Sequence, residues 1–436
     1  MRNCRRLCAV FVCLFAAVVT SAAAPPVGVS PNPGERQLPD KMHSAMTDLP
    51  TIRVGGTDTN ADIIGTDNRA LQAAVDYVAN LGGGVVVVAP GQYLMRDSLH
   101  LRSHVTVRGT PGKTILRKAD GIASPLAMDG DYGEEQITVT DPAGFTVGGG
   151  VTVWDTHSGG FHTTVARITG RRGNTFSISR PLNDDYELSE KAQAATVFPV
   201  ISGSEVEGVR LDGLTVDGNK AANVNLNGCR GAGIYFYRGF GAVIDNCTVH
   251  DFNGDGVSFQ QSNDVTVFRC TSENNAGLGF HPGSGSQRPT LSDCTARGNG
   301  EDGLFLCWRV RHGVFENNLL EANGRYGISI GHKDTDNLLR RNTVRGNAED
   351  GVFFRNESYP MAGHRNRLEE NQIENNGAKA KDAAGIRVRG ETAGLVLKNN
   401  QIRQSVGIRL DEKVGEVALE GNTVDAATPL DDRRGK

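Results

Sequence analysis

Three carboxylates and two histidines stand where they could move protons. Asp255 and Asp302 each precede a glycine that opens a short run of alternating apolar residues, and Glu301 adjoins the second. A pair of carboxyl groups can cleave a glycosidic bond, one protonating the leaving oxygen while the other activates water. His281 and His332 change charge near neutrality, so they suit proton transfer or the tuning of those carboxyls. Residues able to hold an anionic sugar lie around them. Arg355, Arg387 and Arg389 offer planar forks for carboxylate or sulfate, Lys333 a point charge, Gln260 and Gln261 amides, and Trp308 a ring face. Each also has a plain reading, since Asp-Gly is ordinary turn chemistry and surface histidines bond turn carbonyls.

A repeat could bring these residues together. Glycine followed by alternating apolar residues recurs at Gly233, Gly256, Gly277, Gly303, Gly327, Gly351, Gly385 and Gly407, at intervals of 23, 21, 26, 24, 24, 34 and 22 residues. Such a period marks a solenoid, in which each unit buries its apolar face only against its neighbours. Alternation within each unit has period two, so the units hold strands rather than helices. A second column runs Cys247, Cys270, Cys294, Asn318, Asn342, Asn371, Asn400, Asn422, and a third holds Asn274, Asn299, Asn323 and Asn347. Asparagine tolerates left-handed backbone and bonds nearby backbone, so stacked copies suit a turn repeated coil after coil. The three cysteines of the ladder are expected to be buried free thiols.

Three short strands per coil, joined by turns, give an all-β chain wound as a parallel β-helix, right-handed by the usual sense of parallel crossovers. Coils stack about 4.8 Å apart, so Asp255 and Asp302, two coils apart, would be about 9–10 Å from each other. Inverting glycosidases need about 6.5–9.5 Å. Outward positions lie two and four residues after each glycine. Gln260, Gln261, His281, Trp308, His332 and Arg355 are placed four or five residues after theirs.

Residues 67–93 carry a resemblance. Asp67 caps an expected helix through Ala70-Leu71-Gln72-Ala73-Ala74-Val75, which ends at Gly82-Gly83-Gly84; the strand Val85–Val88 and the turn Pro90-Gly91-Gln92-Tyr93 follow. This opening resembles that of secreted pectate-lyase-superfamily, or pectin-lyase-like, β-helix proteins, where the helix covers the open end of the solenoid. With the coils, the resemblance spans roughly residues 60 to 425. Asn253-Gly254-Asp255-Gly256 resembles the Asn-Thr-Asp-Gly motif of polygalacturonase-type hydrolases, Glu301-Asp302-Gly303 their acidic pair, and Arg387-Val388-Arg389 their Arg-Ile-Lys. An extra coil parts the first two motifs, Tyr326 stands where that family has histidine, and Arg389 replaces lysine.

The rest of the chain sets the context. Residues 1–24 read as a secretory signal peptide, with Arg2, Arg5 and Arg6 ahead of an apolar run, so the protein is expected to be secreted or periplasmic. Without them 43 basic residues face 50 acidic ones, a charge of −7, which argues against nucleic acid as partner. Thirteen apolar residues are too few for a stable membrane span. Five cysteines remain, an odd number. Residues 25–60 read as an extended leader, 61–127 as cap and first coils, 128–200 as a β insertion, 201–427 as the main coils and 428–436 as a polar, frayed tail. Trp154 and His157 of the insertion are candidates to wall the cleft.

The combined expectation is a monomeric enzyme that hydrolyses a polysaccharide, anionic by the arginine row. Asp302 would be the acid, Asp255 or Glu301 the base, His281 and His332 the tuning groups, and Arg355 the carboxylate holder. Rival readings are β-elimination by a histidine or Arg355, C5 epimerisation, and a non-catalytic carbohydrate-binding or adhesive solenoid. No cofactor is expected. Ca²⁺ is kept open because Asp334-Thr335-Asp336-Asn337 and Asn183-Asp184-Asp185-Tyr186-Glu187 offer hard oxygen ligands.

Overall fold

Each coil is three short strands with apolar side chains inward and corners held in left-handed backbone. A computed structural model describes residues 49–380 and 382–435; the expected signal peptide and most of the expected leader lie outside them. Parallel strands stack into three long sheets of 13, 11 and 11 strands, with one continuous core between them. The first coil begins inside the expected leader, because Thr51–Gly55 pairs with Gly84–Val88. The tail is not frayed: Thr428–Asp432 adds a last strand beside Val406–Leu410, with Leu430 opposite Ile408 and Asp431 held by Arg409.

The helix α1 (Asn68–Asn80) covers the open end. Asp67 caps it by accepting from the amides of Arg69 at 2.9 Å and Ala70 at 3.4 Å, satisfying donors that the first turn leaves unpaired. Leu71, Ala74, Val75 and Val78 lie on its buried stripe. That stripe covers apolar strand ends that water or another chain would otherwise meet.

One corner of most coils is a non-glycine residue with positive φ, as at Asn246, Arg269, Asp293, Asn317, Arg341, Glu370 and Asn399, while Gly213 and Gly421 hold the same corner in two others. The ladder residue follows it. Asn318 donates to Asn342, Asn342 to Asn371, and Asn371 to Asn400, each through both backbone amide and side chain at 2.9–3.1 Å. Each side-chain amide also donates to a main-chain carbonyl of the preceding coil. The left-handed strain thus falls on the neighbour, and the asparagine supplies hydrogen bonds inside the core. Cys247, Cys270 and Cys294 extend this ladder as buried free thiols.

Two register expectations need correction. Phe280 pairs with Val257 on one side and Leu304 on the other, so the repeat glycine of that coil is Gly279, not Gly277. The flanking intervals become 23 and 24 residues. Likewise the third ladder runs through Asn275, not Asn274, to Asn299, Asn323, Asn347 and Asn376. Asn274 is the left-handed corner ahead of it, with φ of 55°.

The insertion is a six-stranded antiparallel sheet spanning Ala123–Pro125 to Gln193–Ala195, offset from the expected 128–200. It has its own core, including Phe145, Ile168, Phe176 and Tyr186. The chain rejoins the coils at Ile201–Ser204. Among the described residues, no helix is long and apolar enough to cross a membrane.

Candidate active site

The site sheet is the one that contains Ala232–Tyr237, Asp255–Gln260 and Phe280–Gly283. Its outward row reads Tyr235, Ser258, His281, then Phe305, Ser329, Phe353, Arg387 and Arg409. His281 therefore sits two residues after its glycine, not four or five. The turn entering this sheet carries Asp255, Leu278, Asp302, Tyr326 and Asp350 in successive coils.

Stacking brings Asp255 and His281 together. His281 Nδ1 lies 2.7 Å from Asp255 Oδ2, and both residues are almost buried at 4% and 5% exposure. Asp255 Oδ1 accepts from the Leu278 amide at 2.9 Å. With Nδ1 facing a carboxylate, Nε2 is the ring nitrogen left to exchange a proton with a ligand. Gln260 Nε2 approaches it at 3.4 Å while bonding Ser258 Oγ. Phe305 meets the imidazole edge-on with ring centres 5.3 Å apart. Gln260 is wholly buried, so it braces the imidazole rather than reaching for a ligand.

Glu301 is exposed beside this pair. Burial on its inner side and the negative charge of Asp255 push its carboxyl above the ordinary value, against Arg325 and His281. Glu301 thus feels the charges of Asp255, His281 and Arg325 together. Arg325 is exposed and lies over the Tyr326 ring at 5.2 Å, with Tyr326 stacked on Phe353 at 4.2 Å. Arg325 occupies the column of Glu301 and Glu349, two residues ahead of the repeat glycine, a placement that could have signalled it.

Asp302 differs from its expected role. It has no exposed surface, and burial pushes its carboxyl up to about 7 against Arg325, the Tyr326 amide and Arg355. Its Oδ1 accepts from the Tyr326 amide at 3.1 Å, and its Oδ2 is buried without a partner. A closed-off acid of this kind props the turn that presents Arg325. Because its folded-state pKa is raised, the stability it contributes is present below about pH 4 and fades as pH rises through about 7. In urea titrations, wild-type protein should therefore lose more stability between pH 5 and pH 8 than Asp302→Asn does; equal losses would refute the assignment.

A second cluster lies along the far edge of the same sheet. Gln261, Trp308 and His332 share a left-handed corner column, with φ of 51°, 67° and 49°. His332 Nε2 is 2.7 Å from Glu357 Oε1, its ring lies 5.3 Å from that of Trp308, and burial followed by Arg355 holds its pKa down. Arg355 is not free to clamp a ligand. It donates to the Leu306 carbonyl at 2.6 Å, Ser329 Oγ at 2.9 Å and Asp334 Oδ2 at 3.0 Å, over the Phe305 ring. Gln261 accepts from Arg238 at 3.2 Å, and Lys333 is half-buried at the same corner. Asp334 is the Arg355 partner that sequence spacing did not signal.

Arg387 and Arg389 are not gathered into either cluster. They lie at the C-terminal end of the row against Asp411, Arg389 at 3.0 Å and Arg387 at 3.9 Å. Trp154 packs against the main core instead of walling a cleft, and His157 faces Glu190 at 3.3 Å. Asp334 faces Arg355, Asp336 faces Arg365, and the described residues contain no group of three or more His, Cys, Asp or Glu side chains placed to hold a metal.

The loop carrying Gly228 closes over the Asp255–His281 pair. A Cβ at Gly228 would fall 1.7 Å from Asp255 Oδ2 and 2.9 Å from His281 Nδ1. Gly228→Ala should therefore break the 2.7 Å contact while leaving the ladders intact. Loss of the His281 Nδ1–H resonance by ¹⁵N NMR, with an unchanged melting profile, is the expected result; a retained resonance contradicts it.

The family model described as "Right handed beta helix region" matches residues 192–344 and 311–424, more than half of the chain. Among curated proteins, mannuronan C5-epimerase AlgE5 of Azotobacter vinelandii is 24% identical over 314 residues, 69% of this chain and 22% of that protein. Mannuronan C5-epimerase AlgE3 of the same organism is 30% identical over 308 residues, 68% of this chain and 12% of that protein. The chain thus spans less than a quarter of these relatives' length. A solved structure titled "Glycoside hydrolase" superposes with a TM-score of 0.52 at 10% identity, covering 86% of this chain and 96% of that one. The solenoid seen strand by strand and the family match agree, and the chain belongs to the right-handed β-helix family.

Proposed function

We propose that this protein is a polysaccharide-modifying enzyme that transfers the C5 proton of a uronate unit. The carrying observation is the grouping of exposed Glu301 and Arg325 with the Asp255–His281 pair. Arg325 would hold the uronate carboxylate and stabilise the negative charge that flows into it when the C5–H bond breaks. Glu301, with its raised pKa, would accept that proton, and His281 backed by Asp255 would return one to the other face of the ring. Proton return gives the C5 epimer. Loss of the C4 oxygen substituent from the same carbanion would instead give elimination.

Hydrolysis through Asp302 is less well supported, because that carboxyl has no exposed surface. The similarity to proteins named mannuronan C5-epimerases makes mannuronan the first polymer to try. Its products should show C5-inverted units by NMR, without new reducing ends and without absorbance from a new C=C bond. New reducing ends on an unchanged C5 configuration would overturn the proposal in favour of hydrolysis.

A further inference from the structure

We propose that the cleft between the insertion and the first coils is a second sugar site, which holds an acidic unit of the polymer away from the reacting one. This rests on the reading of the coil face as a polyuronate groove. The lining of the cleft includes Asp97, Arg167, Arg180, Arg230, Tyr235 and Tyr237.

Three arginines here face one aspartate, in a chain whose net charge is −4. A local excess against the overall sign favours an anionic ligand. Arg167 is held by Asp97 at 2.5 Å. Arg230 donates from Nε to the Phe161 carbonyl at 2.9 Å and lies over the Phe161 and Tyr237 rings, which fixes its fork at the cleft wall. Arg180 is exposed and has no hydrogen-bond or ion-pair partner among the described residues, although its charge acts on the Tyr235 hydroxyl. It is the cation left for a ligand.

The cleft and the proton-transfer centre share a row and a loop. Tyr235 pairs with Ser258 and Ser258 with His281, so the two sites lie two coils, about 10 Å, apart along one outward line. Gly228 packs on Asp255 and accepts from Ser258 Oγ at 2.7 Å, and two residues later Arg230 enters the cleft. A chain lying along the row meets both. Uronate carboxylate and sulfate ester share the required chemistry, that of an acidic pyranose.

The test measures binding without turnover. Calorimetry on Glu301→Gln protein should show a mannuronan octamer binding about tenfold more tightly than a trimer, the worth of one charge-assisted contact. Adding Arg180→Ala should remove most of that gain and leave trimer binding unchanged, with Arg180→Lys retaining part of it. A sulfated octasaccharide run alongside distinguishes carboxylate from sulfate as the preferred anion. A length-dependent gain that is equal with and without Arg180, or no gain at all, overturns the proposal. If C5 chemistry fails on every polyuronate while the Arg180-dependent gain persists, the proposed reaction falls and the cleft stands.

Discussion

Glu301→Gln should slow C5 proton transfer by about 10²–10⁴-fold, the usual worth of a positioned acid or base. The amide keeps the shape of the side chain but can neither take nor give the proton. Glu301 is exposed and makes no core contact, so its replacement should leave melting unchanged. His281→Ala should cost a similar factor while also opening a void beneath Phe305. The wild-type rate should fall at low pH, since the Glu301 carboxylate must be ionised to take the proton. Because burial and Asp255 raise that carboxyl, the fall should lie above the usual carboxylate range. A flat pH profile, or near-wild-type rates in both variants, would remove these residues from the reaction.

Asn342→Ala should destabilise the solenoid by about 3–5 kcal/mol, a loss that only buried networks and core cavities usually give. The side chain accepts from the Asn318 backbone amide and Nδ2 at 3.1 and 2.9 Å, and donates to the Phe315 carbonyl and Asn371 Oδ1 at 2.9 and 3.0 Å. Its removal leaves several buried polar groups without partners in a place where water is excluded. Asn422 ends the ladder and is half-exposed, so Asn422→Ala should cost only about 1 kcal/mol. Guanidinium unfolding of both variants checks the gradient; equal costs at the two positions would mean that the ladder does not act as a buried network.

The fold was legible because each level of the sequence pointed the same way. Glycine, alternating apolar residues and a stacked Cys/Asn column recur with nearly one period, and Asp67 announces the capping helix. The errors arose where local signals compete. Gly277-Leu278-Gly279 offers two glycines two residues apart, and only the pairing of Phe280 selects the second. Asn274-Asn275 offers two asparagines, one for the corner and one for the ladder.

The site was legible in part. Asp255, Glu301, Asp302, His281 and His332 were found as residue types in rows, and stacking places the first two beside His281. Row position says nothing about depth, so the burial of Asp302 and Gln260 was out of reach. Arg355 looked like an outward clamp because its buried partner, Asp334, lies in the preceding coil and out of the row. Arg325 was missed because the chemistry of its column was read from acidic residues alone. The cleft beside the insertion depends on how a separate six-stranded sheet docks on the coils, which no repeat encodes.

The most direct measurement of the central claim is deuterium uptake at C5 when a uronate polymer is incubated with the protein in D₂O. Deuterium should enter at C5 with wild-type protein, with the chain length unchanged, and uptake should fall to background with Glu301→Gln. A polymer shortened by the protein with no deuterium at C5 would contradict the account.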